Sequence, residues 1–214
     1  MTTLIYSPRH HAIYADTRQT TIDTETGKIV RQRDVCKAVD MDGLVWVGDT
    51  RYHVVKAATC GSVSACERMI DIVNNNGSRQ GSLMPRPRYS EYEEYSLLLL
   101  TDTGECIEID ERLRPRLISS TYALGSGSGK LPLNVFGMVA PKLSVQMAAC
   151  LDVYTGGYVE CHMASHTVRL SAARTMWSDI LSYSAIAATV AVVIPVAIVC
   201  APMILKRYLK WRFA

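Results

Sequence analysis

"MTTLIYSPRHHAIYADTRQTT", residues 1–21, holds two β-prone runs, 2–7 and 11–17, on either side of the turn-forming SPRHH. Apolar and β-branched residues interrupted by Ser, Pro and charge predict a β-hairpin. Further on, "GKIVRQRDVCKAVDMDG" (27–43) and "LVWVGD" (44–49) predict two more strands, with Asp42-Gly43 as a two-residue turn between them. After Gly48 the apolar spacing changes to three and four, so "DTRYHVVKAATC" and "SVSACERMIDIVNN", divided by Gly61, are expected as helices. Residues 75–94, rich in Asn, Gly, Pro and charge, predict an exposed loop. "YSLLLLTDTGECIEID" then predicts a hairpin around 102–104, and "RLISSTYALGSGSG" a strand ending in a glycine-serine loop. Residues 131–151 are expected as helix broken near Pro141, and "GGYVECHMA" as a last strand. Strands, helices, strands, helices and a strand point to an α+β fold of antiparallel sheets with helices packed outside them.

The 214 residues are 49% hydrophobic, enough for a substantial core plus an appendage. From Ile180 to Leu205 no residue is charged. That exceeds the roughly 20 residues a helix needs to cross the hydrocarbon layer, so 180–205 is expected to be a transmembrane helix, kinked at Pro195. Residues 164–179 then form a juxtamembrane linker. The tail 206–214, "KRYLKWRFA", interleaves four cations with Tyr208, Trp211 and Phe213, a composition suited to lipid headgroups. Without those cations, 19 basic residues face 20 acidic ones, which leaves no concentrated basic face for nucleic acid. Residues 1–20 lack the apolar core of a secretory signal, so the reading is a single-pass protein held in the membrane by its C-terminal end with the preceding domain cytosolic, whereas the basic tail, by the positive-inside tendency, would itself prefer the cytosol. Seven cysteines without a C-x-x-C pair suggest reduced thiols rather than a disulfide framework or zinc site.

Thr2 introduces chemistry. A start methionine before so small a residue is normally trimmed, which would leave Thr2 with a free α-amine beside its own hydroxyl. An α-amine, with a reference pKa of about 7.7–8.0, is a base suited to deprotonating that hydroxyl at neutral pH. "YADTRQT" (14–20), "VCKAV" (35–39), "VWVGDT" (45–50), "ALGSGSG" (123–129) and "LDVYTGGYV" (151–159) follow in order along the chain. Singly they fit plain roles: Asp16 a strand-end acid, Lys37 a solvated lysine, Ser126 part of a flexible loop.

Together, over about residues 2–163, they resemble the proteasome β-subunit and HslV-like family of N-terminal nucleophile (Ntn) hydrolases. The resemblance implies a four-layer αββα sandwich in which Thr2 is the nucleophile and Asp16 the acid that holds the lysine. Lys37 is then the cation beside the nucleophile, and Gly48 the glycine whose N–H serves the oxyanion. Ser126, Asp152 and Thr155 are the group supporting the α-amine. It further implies a peptide or protein substrate, a homo-oligomer, an ATPase unfoldase partner and no cofactor. Two features depart from the family: the helical part after Gly48 is short, and the membrane span is an addition. A non-catalytic assembly or adaptor module at a membrane, of viral or phage origin, is the alternative these departures suggest. "GSGSGK" fails as a phosphate loop, because Gly125 is one position off the required spacing and Leu131 stands where a hydroxyl residue is needed. His10, His11, His162 and His166 lack a carboxylate or cysteine frame in the sequence, so no metal is expected.

Overall fold

The computed structural model describes residues 2–23, 25–75, 77–85, 94–129, 133–152 and 154–172. Met1, the expected span at 180–205 and the tail at 206–214 lie outside them. Among the described residues no helix is long and apolar enough to cross a membrane.

The opening hairpin forms as expected: β1 (Thr3–Ser7) pairs antiparallel with β2 (Ala12–Asp16), Leu4 opposite Ala15 and Ser7 opposite Ala12. Every residue of both strands is buried. Next come a two-stranded ribbon, β3 (Arg18–Ile22) and β4 (Ile29–Asp34), the long strands β5 (Ala38–Val47) and β6 (Thr50–Gly61), and helix α1 (Val63–Asn74). Strands β7 (Tyr95–Thr101), β8 (Cys106–Asp110), β9 (Arg116–Ile118) and β10 (Tyr122–Gly125) follow. A 3-10 turn (Ser126–Gly129) leads to α2 (Leu133–Val139), α3 (Pro141–Leu151), β11 (Tyr158–Met163) and β12 (Thr167–Ala172). One sheet has the order β10-β1-β2-β11-β12 and the other β5-β6-β7-β8-β9.

Alternation along the strands sorts side chains into three apolar layers. Leu4, Tyr6, Ile13 and Ala15 of the first sheet meet Ala58, Leu98, Leu100 and Cys106 of the second. On the second sheet's other face, Val45, Ala57, Leu97 and Leu99 cover Ala65, Met69 and Val73 of α1. On the first sheet's other face, Ile5, Tyr14, Val159 and Cys161 cover Leu133, Val145 and Ala148 of α2 and α3. Each fully buried aliphatic side chain here contributes about 1.5–3 kcal/mol, and the three layers together make a helix–sheet–sheet–helix sandwich.

Three expectations need correcting. "DTRYHVVKAATC" is strand β6, not helix. It is central in its sheet and packed on both faces, so its apolar residues run together and lose the period of two that identifies a strand. Asp42-Gly43 is not the hairpin turn either; the register of β5 shifts between Asp40 and Gly43, and the chain reverses at Gly48-Asp49, with Val47 opposite Thr50. At Gly43 a Cβ would lie 2.7 Å from the Val73 side chain and 2.9 Å from its carbonyl oxygen, so the missing side chain lets α1 approach the sheet. Finally, residues expected as linker form β12, which pairs with β11 from Tyr158–Ala172 to His162–Thr167. The 75–94 segment is less detached than a loop need be: it returns Met84 to the core beneath α1, where only 2% of it is exposed.

Candidate active site

Asp16 ends β2, where the chain must turn away from the buried sheet. Its side chain, 1% exposed, uses both oxygens. Oδ1 accepts from the Thr3 N–H at 2.8 Å, and Oδ2 from the Arg18 and Gly156 N–H groups at 3.1 and 3.0 Å. One carboxylate thus fastens the residue after Thr2, the start of β3 and the backbone at Gly156. Burial pushes its pKa up to about 6, with the Lys37 charge and the three N–H donors opposing.

Lys37 lies between β4 and β5 and is 7% exposed. Its ammonium donates to Thr2 Oγ1 and, at 2.7 Å, to the Arg18 carbonyl. Burial draws its pKa down, and the Asp16 carboxylate partly offsets this. Thr2, 3% exposed, lines a cleft of about 240 Å³ with Lys37; Gln19 and Thr20 of β3, Arg33 of β4, and Thr59 and Gly61 of β6 supply other walls. A hydroxyl held against an ammonium in a site of low dielectric has its alkoxide form favoured.

Asp152, at the end of α3, gathers the remaining candidates. Its Oδ2 accepts from Ser126 Oγ and from Thr155 Oγ1 at 2.7 Å, and its Oδ1 accepts from the Tyr154 N–H at 3.2 Å. Because the Thr155 proton is given to Asp152, Thr155 Oγ1 accepts from Thr3 Oγ1 at 2.7 Å. This chain of hydroxyls reaches the residue next to Thr2. Gly125 permits the close packing: its φ is +97°, and a Cβ there would come within 1.7 Å of the Thr2 carbonyl oxygen. Gly125→Ala is therefore expected to cost about 2–4 kcal/mol in a urea unfolding experiment, the combined effect of positive φ and forced displacement.

The structure brings Thr2, Asp16, Lys37, Ser126, Asp152 and Thr155 into one neighbourhood but leaves Gly48 out. Gly48 forms the exposed β5–β6 turn, at the far end of a 12-residue strand from Thr59 and Gly61, roughly 40 Å of extended chain away. Gly61 is the glycine at the cleft, with φ +94° and a Cβ position 2.3 Å from the Glu94 carbonyl oxygen. Sequence reasoning passed over it because β6 was expected as helix. The signal that finds it is Gly-Ser just before the apolar periodicity of α1, where Ser62 caps the helix by accepting from the Ala65 N–H.

No protein-family model matches the chain, and no curated protein sequence does. Solved structures do resemble it. A Gly-1 mutant of Anbu from Hyphomicrobium sp. strain MC1 aligns with a TM-score of 0.54 at 14% identity, over 86% of this chain and 96% of that one. Anbu, described as the ancestral β-subunit, from Yersinia bercovieri aligns with a TM-score of 0.53 at 9% identity, again over 86% and 96%. At such identities the likeness is one of fold, and that fold is the proteasome-like sandwich of antiparallel sheets.

Proposed function

We propose that the chain is a threonine-type peptidase in which Thr2, freed by removal of Met1, is the nucleophile. The observation that carries this reading is the Lys37 ammonium donating to Thr2 Oγ1 inside an open cleft. In the proposed reaction Thr2 Oγ attacks the peptide carbonyl while its proton passes to the Thr2 α-amine. The Lys37 charge stabilises the oxygen that becomes alkoxide-like, and Gly61 stands on the cleft wall where the oxyanion would need an N–H donor. Collapse of the tetrahedral intermediate breaks the C–N bond, the α-amine returns its proton to the departing amine, and water then hydrolyses the Thr2 ester. Asp16 keeps Thr3 and Arg18 in place, so that Thr2 and the carbonyl that holds Lys37 stay in register.

The wider reading includes anchorage by residues 180–205, a cytosolic catalytic domain, self-association and feeding by an ATPase unfoldase. The uncharged stretch supports the anchor. The description of the Yersinia bercovieri neighbour as a subunit supports self-association.

Intact mass of the purified full chain tests the core of the proposal. The expected species begins at Thr2 and gains the mass of one electrophile selective for N-terminal threonine. A chain that retains Met1, or one that begins at Thr2 yet stays unlabelled, would contradict it.

A further inference from the structure

Beside the cleft, on the inner face of the first sheet, three side chains form a group that the peptidase reading does not use. Glu160 and His162 are two residues apart on β11, so both point the same way, while Val159 before them and Cys161 between them face α2 and α3. Their register partners on β2, Ala15 and Ile13, place that direction toward the second sheet. Glu160 is 3% exposed and His162 is fully buried. Cys36, exposed and adjacent to Lys37, completes the group: its Sγ, a Glu160 carboxylate oxygen and a His162 ring nitrogen all lie within 4.8 Å of one another.

Glu160 Oε1 accepts from Arg169 Nε at 3.1 Å and Nη2 at 2.9 Å. His162 Nδ1 bonds Thr167 Oγ1 at 3.0 Å, and that hydroxyl also accepts from Lys56 Nζ at 3.3 Å. Among the described residues, Glu160 Oε2 and His162 Nε2 have no hydrogen-bond partner, although they face each other at 3.8 Å. Leaving two such atoms buried without partners is unfavourable, because each gives up its bond to water and gains none in return. A cation that takes both lone pairs removes that cost.

We propose that Cys36 Sγ, Glu160 Oε2 and His162 Nε2 bind a divalent, thiophilic transition metal of the zinc type, with the fourth position open to water on the exposed Cys36 side. A tetrahedral shell with bonds of about 2.0–2.3 Å separates its ligand atoms by roughly 3.3–3.8 Å, close to the Glu160–His162 distance already present. One sulfur, one imidazole nitrogen and one carboxylate oxygen suit zinc better than calcium or magnesium, which take oxygen shells. Thr167 and Arg169 act as the outer shell, the first by accepting the Nδ1 proton so that Nε2 presents its lone pair, the second by fixing the carboxylate. The Cys36 thiol proton, now donated to the Ala38 carbonyl at 3.0 Å, is released as the S–metal bond forms. Because Cys36 also lines the cleft, a bound ion would fix the backbone that carries Lys37.

Cobalt(II) titration of the metal-free full chain tests this without any need for turnover. The expected result is one equivalent bound, with tetrahedral visible bands and a thiolate-to-cobalt charge-transfer band, all displaced by one equivalent of zinc. Cys36→Ser, at an exposed position that leaves the core untouched, is expected to abolish the charge-transfer band, and His162→Gln to weaken binding by more than the roughly 10–100-fold that loss of an outer-shell partner such as Thr167 costs. A wild-type chain that retains no metal would overturn the proposal. So would binding without the charge-transfer band, or a band that survives in Cys36→Ser.

Discussion

Thr2→Ala reduces peptide hydrolysis by the full chain to background, a loss on the order of 10⁴-fold or more, while the unfolding midpoint hardly moves. The loss is large because the hydroxyl forms the bond that breaks the substrate, and no neighbour can take its place. The fold survives because the substitution removes only a hydroxyl and a methyl group ahead of β1 and leaves the backbone unchanged, while Lys37 keeps the Arg18 carbonyl as acceptor at 2.7 Å. Thr2→Ser keeps the reacting oxygen and is expected to retain measurable turnover. Lys37→Met removes the charge but not the nucleophile, and should cost about 10²–10³-fold in kcat, the range for one preorganised electrostatic contact. The readout is steady-state cleavage of a fluorogenic peptide set by detergent-solubilised protein. Undiminished turnover in Thr2→Ala would remove Thr2 from the chemistry. Absence of turnover in the wild type, with cellular function intact in Thr2→Ala, would instead favour the non-catalytic assembly reading.

The opening hairpin and the polar residues around it were legible because they obey local rules. β1 and β2 are short runs split by a proline-containing turn, and Asp16 follows where the strand ends. The loops bearing Ser126 and Asp152 could be read as loops, although their convergence on Thr3 depends on β10 pairing with β1 and on α3 returning the chain to the same edge. Gly48 and Gly61 show where local rules fail. Both follow an apolar run, and only burial of β6 on two faces decides which one stands at the cleft. The Cys36–Glu160–His162 group fails differently. The Glu-x-His spacing on a strand is visible in the sequence, whereas the thiol arrives from the β4–β5 connection, and no spacing rule links positions 36 and 162.

Asp16→Ala destabilises the protein by about 3–5 kcal/mol at pH 4, by orphaning the buried Thr3, Arg18 and Gly156 N–H groups at about 1–3 kcal/mol each. The cost depends on pH in a way that a simple cavity would not. Burial raises the native pKa of Asp16 to about 6 from the ordinary carboxylate value of 3.8, so between those values the folded chain binds more protons than the unfolded one. Stability contributed by Asp16 is therefore fully present below about pH 4 and lost as pH rises through 6. The gap between wild type and Asp16→Ala should narrow by roughly 2–3 kcal/mol from pH 4 to pH 7, since one pKa unit corresponds to about 1.4 kcal/mol. Urea unfolding at closely spaced pH values measures the gap directly. A gap that stays constant would mean that Asp16 is ionised in the native state throughout, with Lys37 and the three N–H donors outweighing burial. A gap that widens with pH would mean that they hold its pKa below that of the unfolded chain. Either outcome would recast Asp16 as a permanent counter-charge to Lys37, whereas the narrowing expected here makes the buried charge that acts on Lys37, and with it the proton affinity of Lys37, a function of pH near 6.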